Sequence, residues 1–212
     1  MALAWGTAFS LKVGDLETAE HWAAELNDLA EKHSLDSYLP CGIGFKGQLT
    51  AKRGDVVTAA PLLQAAIQGS HQAGCHAFYT DFLSGLALAQ ADDGHLDEGL
   101  ATIESALQRT ERTDELCYLP EVLRIKGELL LRRNKSNSVV AEDCFLRSLD
   151  WAGRQGALSW ELRTATSLAR LRRYQGRPRE ARDLLATVYG RFTEGVGTAD
   201  LKAAAGLLDG LT

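Results

Sequence analysis

Apolar and small residues recur along the chain at three- and four-residue intervals, the spacing of one face of a helix, and the whole pattern returns about every forty residues. A turn signature carries the period. Gly14-Asp15-Leu16-Glu17-Thr18-Ala19 returns as Gly54-Asp55-Val56-Val57-Thr58-Ala59, as Gly94-His95-Leu96-Asp97-Glu98-Gly99, and as Gly176-Arg177-Pro178-Arg179-Glu180-Ala181. A degenerate copy, Asn134 to Ala141, is two residues longer, so the small anchor falls at 19, 59, 99, 141 and 181. Four residues past each anchor stand Ala23, Leu63, Ile103, Phe145 and Leu185, one turn on along the same face, which predicts a second helix in every unit.

The first helix of each unit is predicted by small residues at Thr7, Gly47, Ala87, Gly127 and Ala169, preceded by apolar ones at Leu3, Ile43, Leu83, Leu123 and Ala165. A small residue belongs where two helix backbones approach closely, and a turn glycine suits a helix end that needs a left-handed residue. Pro40 and Pro120, two periods apart, mark first-helix starts, where proline forfeits no hydrogen bond. No strand-type alternation interrupts the pattern. The expectation is an all-α right-handed solenoid of about five helix-turn-helix repeats, near 1–35, 36–74, 75–114, 115–156 and 157–195, forming a single domain. A capping helix follows at 198–209.

These anchors resemble the tetratricopeptide repeat (TPR), lengthened from its usual 34 residues to about forty. Over the last ninety or so residues the chain also resembles the tail of large bacterial signalling proteins. Leu119-Pro120-Glu121, Lys126-Gly127-Glu128-Leu129-Leu130-Leu131, Arg154-Gln155-Gly156-Ala157, Ser159-Trp160-Glu161-Leu162-Arg163 and Glu180-Ala181-Arg182-Asp183-Leu184-Leu185 carry that likeness. In that family an adenylate/guanylate cyclase or a winged-helix DNA-binding domain precedes a signalling ATPase, and helical repeats close the chain. The resemblance therefore implies a regulatory, protein-binding tail. No G-x-x-x-x-G-K-[ST] phosphate loop occurs here. Met1 falls inside the first helical pattern, so the chain is expected to be a fragment of a longer protein.

Composition narrows the classes. With 212 residues, 45% apolar and 24% charged, the chain suits a folded, soluble protein, and charges interrupt every apolar run before the roughly 20 residues a membrane span needs. The first ten residues lack a basic leader, so a cytoplasmic location is expected. Cys41, Cys75, Cys117 and Cys144 are scattered without a C-x-x-C pair and are expected to be reduced thiols. His71, Cys75 and His76 come nearest to a ligand cluster, but only His71 and Cys75 share a helix face, which argues against a metal. His21, His33, His71, His76 and His95 have no matching acid and nucleophile, so neither catalysis nor a cofactor is expected. Asp92 and Asp93 read as a helix end.

Charge is uneven. Residues 1–106 hold 5 Lys+Arg against 14 Asp+Glu, net −9, and residues 107–212 hold 18 against 14, net +4. If first helices line a concave face, the early copies offer bland positions: Ala4, Ala8, Gly44, Gln48, Ala51, Ser84, Leu88 and Ala91. The last two offer Glu121, Arg124, Glu128, Arg163, Arg170 and Arg173, the candidate partner-binding residues. Arginine's planar fork suits carboxylate or phosphate, so an acidic peptide, another domain of the parent chain or a nucleotide phosphate fits. A salt-bridged surface is the competing reading, because Glu161, Glu180 and Asp183 lie among these arginines. Trp151 and Trp160 are expected to pack at a corner. A net charge of −5 argues against nucleic acid. The expected function is a non-catalytic interaction scaffold of a cyclase–ATPase signalling protein, or else the sensor and oligomerisation module of an ATPase-type transcriptional activator. Oligomeric state stays open.

Overall fold

The computed structural model describes residues 1–113 and 115–211. Asp114, at the expected end of the third repeat, and Thr212 lie outside the described residues. Among these, every regular element is helical: α1 (Ala2–Val13), α2 (Leu16–Lys32), α3 (Leu39–Lys52), α4 (Val56–Gln72), α5 (Tyr79–Asp92), α6 (Leu96–Thr113), α7 (Leu119–Arg133), α8 (Ser138–Arg154), α9 (Leu158–Tyr174), α10 (Pro178–Tyr189) and α11 (Ala199–Asp209). Among the described residues no helix is long and apolar enough to cross a membrane. The chain divides into two compact units, Met1–Ala106 and Leu107–Thr212.

The turns follow from the recurring glycines. Gly14, Gly54, Gly94 and Gly176 have φ of 85°, 93°, 91° and 76°, the left-handed region that a side chain disfavours. The residue after each donates its amide to a carbonyl five positions back: Asp15 to Ser10, Asp55 to Thr50, His95 to Gln90 and Arg177 to Arg172. That bond satisfies an orphan carbonyl of the ending helix. Asp15 and Asp55 then cap the next helix, their carboxylates accepting from the Thr18 and Thr58 amides at 3.1 and 3.0 Å, and these bonds hold both carboxyls below their usual range. The degenerate copy is built differently. Asn134 is extended and accepts from the Ser136 amide, a short 3₁₀ turn spans Lys135–Asn137, and the Asn137 amide group donates to the Leu130 carbonyl. That turn accounts for its two extra residues.

In the first unit the anchors Ala19, Ala59 and Gly99 are buried, and so are the small residues Thr7, Gly47 and Ala87 of the helix before. A Cβ on Gly99 would stand 2.6 Å from the Ala87 carbonyl oxygen, which explains glycine where other copies have alanine. The core runs through Leu11, Leu26, Phe45, Leu63, Phe78 and Phe82, with Phe45 edge-on to Phe78 and Phe82 at 5.0 and 5.5 Å. Ala4, Ala8, Gly44, Gln48 and Ser84, expected to face an open groove, are buried here instead. Close approach is the cause: a Cβ on Gly44 would stand 2.4 Å from the Phe82 ring. Ile43 correspondingly turns outward, 37% exposed.

The second unit repeats the scheme. Ala141 and Ala181 are buried, as are Phe145 and Leu185 one turn on. A Cβ on Gly127 would stand 2.6 Å from the Phe145 ring, so this glycine admits the largest core residue of α8. Leu201, Ala204 and Leu207 of α11 close the apolar faces of α9 and α10 against Leu162, Ala165, Leu185 and Val188. A single final helix in this position is what a cap requires.

Replacing Gly127 by Leu should therefore overpack the α7–α8 contact and cost on the order of 3 kcal/mol, lowering the melting temperature by several degrees. Gly153→Ala, on an open part of α8 where a Cβ meets nothing within 4 Å, should stabilise by about 0.5–1 kcal/mol. Thermal melts followed by circular dichroism check both; equal behaviour of the two variants contradicts the close-contact role of Gly127.

Candidate functional site

Cys41, Asp81, Glu121 and Glu161 stand forty residues apart, each in the first turn of its repeat's first helix, and all four are buried. Burying a carboxylate is costly unless it is paired, and each of the three acids has its cation. In the first unit Asp81 on α5 is ion-paired with Lys12 of α1 and accepts from the Gln48 amide of α3 at 2.9 Å. Asp81 was not among the candidates from sequence; its forty-residue spacing from Glu121 was the signal. In the second unit Glu161 is gripped by Arg191.

Glu121 anchors the largest network. Arg124 grips it with both fork nitrogens, Nε at 2.7 Å and Nη2 at 2.9 Å, and turns Nη1 to Glu128 at 2.7 Å. Ser167 donates its hydroxyl to Glu128 at 2.7 Å. Arg163 reaches Glu121 at 3.4 Å and Asp200 of α11 at 2.6 Å, with its guanidinium over the Trp160 ring, 5.1 Å from the centroid. Burial by itself would lower the Arg124 pKa, yet Glu121 and then Glu128 overcome it and hold the group above its ordinary value. Four of the six candidate residues thus satisfy one another. A ligand anion taking Arg124 or Arg163 would have to displace buried carboxylates, a large cost.

Arg170 and Arg173 lie outside that network, both exposed, and among the described residues neither makes an ion pair. They open onto different hollows. Arg170 borders one of about 300 Å³ between α7, α8 and α9, with Arg132 and Lys135 beside it, Tyr174 as a wall and Leu131, Phe145 and Leu171 as an apolar floor. Lys135 Nζ stands 5.3 Å from the Tyr174 ring centroid. The carboxylate at the edge of this hollow, Glu128, is already engaged by Arg124 and Ser167. Sequence reasoning placed Arg170 but missed Arg132 and Lys135, because they sit at the helix end and in the two-residue insertion. Arg173 borders a second hollow with Arg179 and Arg182.

Several other polar side chains have structural partners. Glu142 of α8 receives Arg172 at 3.5 Å and Arg177 at 3.1 Å. The bond from Arg177 to Glu180, together with Glu142, raises the Arg177 pKa against some desolvation. Trp151 faces Arg154, 5.4 Å from its ring centroid. Asp93 caps α5 and lies 3.2 Å from His95 Nδ1. The His71 and His76 rings are 6.3 Å apart, and His76 meets Tyr79 edge-on. Among the described residues no three His, Cys, Asp or Glu side chains gather as metal ligands. Burial, and then the neighbouring Cys75, pushes the Cys41 thiol up to about 12.

This arrangement of helix hairpins has a counterpart among solved structures. The chain is similar to a crystal structure of nearly identical TPR-like repeats assigned to a kinesin light chain of Podosopora anserina, at 15% identity and a TM-score of 0.55, over 89% of this chain and 92% of that one. The fold is that of TPR-like repeats. It is the all-α solenoid class expected from the forty-residue period. No family model matches the chain. No curated protein matches it.

Two outcomes test this account of the site. Glu121→Ala, which leaves Arg124, at 12% side-chain exposure, with Glu128 as its carboxylate, should destabilise the protein by about 2 kcal/mol in urea titrations, whereas Arg170→Ala and Arg173→Ala should each change stability by less than about 0.5 kcal/mol. In native protein at pH 8 a maleimide should label exposed Cys117 readily and reach Cys41 only on unfolding, as read by mass spectrometry of the labelled peptides.

Proposed function

We propose that this chain is a non-catalytic, cytoplasmic protein-interaction module whose second unit captures an acidic peptide segment in the hollow of Arg132, Lys135, Arg170 and Tyr174. One observation carries the reading. Three cations and an aromatic wall surround an apolar floor, while the carboxylate at its edge is held by other protein groups. Such a site recognises an Asp- or Glu-bearing segment with an adjoining apolar or aromatic side chain: guanidinium and ammonium meet the carboxylate, and the floor buries the neighbour. Of the residues expected to bind a partner, Arg170 touches this ligand. Glu121, Arg124, Glu128 and Arg163 hold the helices that frame it, and Arg173 stands apart.

The buried acids favour a binding role over catalysis, since Asp81, Glu121 and Glu161 are each spent on a cation. The likeness of the last ninety residues to the repeat tail of bacterial cyclase–ATPase proteins supports a regulatory scaffold within a longer chain, with the whole described stretch acting as one repeat domain. The acidic segment then belongs to a neighbouring domain of the parent protein or to its partner. Regulation follows if that segment is exposed in one state of the parent and covered in the other, because only differential affinity shifts an equilibrium.

Fluorescence anisotropy with a labelled peptide alternating Glu with Phe or Leu should show saturable binding that weakens as salt rises from 50 to 300 mM. An Arg132→Ala, Lys135→Ala, Arg170→Ala variant should lose at least tenfold in affinity. Binding that is unchanged in the variant, or equal for a Gln-for-Glu peptide, would falsify the assignment.

A further inference from the structure

We infer that the hollow bounded by Arg173, Arg179 and Arg182 is a binding site for a phosphoryl dianion, a phosphate monoester carried on a small molecule or on a peptide side chain. The site lies within the second unit, encloses about 360 Å³, and is completed by Pro178, Asp183, Gly210 and Leu211. It takes Arg173 from the last turn of α9, Arg179 and Arg182 from the first turns of α10, and its apolar edge from the chain beyond α11. The three arginines converge from two helices separated by the Gly176 turn.

Several other arginines of the unit are already engaged. Arg124, Arg163, Arg172, Arg177 and Arg191 of the same unit each rest on a carboxylate. Among the described residues Arg173, Arg179 and Arg182 have no such partner and no hydrogen bond from their side chains. Among the described residues one carboxylate, Asp183, lines the hollow, so three guanidinium groups against one acid leave two positive charges uncompensated. A phosphate monoester carries about −1.5 to −2 near neutral pH and offers three acceptor oxygens, which matches both the charge and the planar donor forks. A carboxylate would neutralise half as much.

A structural explanation covers one of the three. The Arg173 guanidinium lies close to Gly210, its Nη1 3.6 Å from where a Cβ would stand, at the C-terminal end of α11, where a cation is favoured by the helix dipole. Arg179 and Arg182 gain nothing from that end. Like charges brought together on a concave surface repel one another, and an anion of matching charge turns that repulsion into attraction.

Calorimetric titration of the full chain at low salt and pH 7.5 with inorganic phosphate, adenosine monophosphate and a phosphoserine peptide tests the site. Each probe is expected to bind with one-to-one stoichiometry. An Arg179→Gln, Arg182→Gln variant should lose at least tenfold in affinity while melting as the wild type does, since both side chains are exposed. The Arg132→Ala, Lys135→Ala, Arg170→Ala variant should retain phosphate binding, which separates this site from the acidic-peptide hollow. Lowering the pH to 5.5 should weaken binding, because the monoester gains a proton near pH 6 while arginine stays charged. Equal affinity for the three probes means that only the phosphoryl group is read. A tenfold preference for the nucleotide or for the peptide identifies the source. No saturable binding by any probe, or binding unaltered in the glutamine variant, overturns the inference.

Discussion

The close approach of two helix backbones at small residues is the contact on which the rest of this structure depends. Gly99 stands against the Ala87 carbonyl, and Gly47 and Gly127 leave room for Leu63 and Phe145, which reach across from the partner helix and bury themselves completely. The gain is apolar area withdrawn from water, and it depends on the backbones being near enough for those side chains to meet. Enlarging a notch therefore costs more than the added atoms suggest, since every contact beyond it is held at a distance.

That approach creates an electrostatic problem which the chain solves in the same way three times. A polar first turn, brought within the packed layer, buries Asp81, Glu121 and Glu161. A long cationic side chain reaches each: Lys12 from α1 for the first, Arg163 from α9 beside Arg124 of the acid's own helix for the second, Arg191 from beyond α10 for the third. A pair of this kind adds little net stability over an apolar equivalent, while removing one partner is severe. It does constrain register, because a carboxylate at the wrong height has no cation within reach.

The same logic sorts the arginines of the second unit into two roles. Those meeting carboxylates are consumed in holding helices together, and a ligand cannot recruit them cheaply. Arg170, Arg173, Arg179 and Arg182 face hollows rather than acids, so their charge is available to something outside the chain. An excess of positive charge in residues 107–212 thus resolves into a paired interior and two exposed clusters with different surroundings, one floored by apolar side chains and walled by Tyr174, the other ringed by guanidinium groups.

The period, the helical pairing, the turn glycines and the small-residue notches were all legible in the sequence. Each depends on residues near in the chain: φ at Gly54, the reach of the Asp55 carboxylate to the Thr58 amide, the one-turn step from Ala59 to Leu63. So was the clustering of candidate side chains on α7 and α9. What each of them does was decided only by tertiary packing. Arg163 and Arg170 are seven residues apart on one helix face, yet Arg163 meets Glu121 and Asp200, 42 and 37 residues away, while Arg170 overlooks a hollow completed by Arg132 and Lys135. Arginine's long, flexible stem lets its head choose among acids from several helices. That choice depends on distances across the fold, which helical periodicity does not encode.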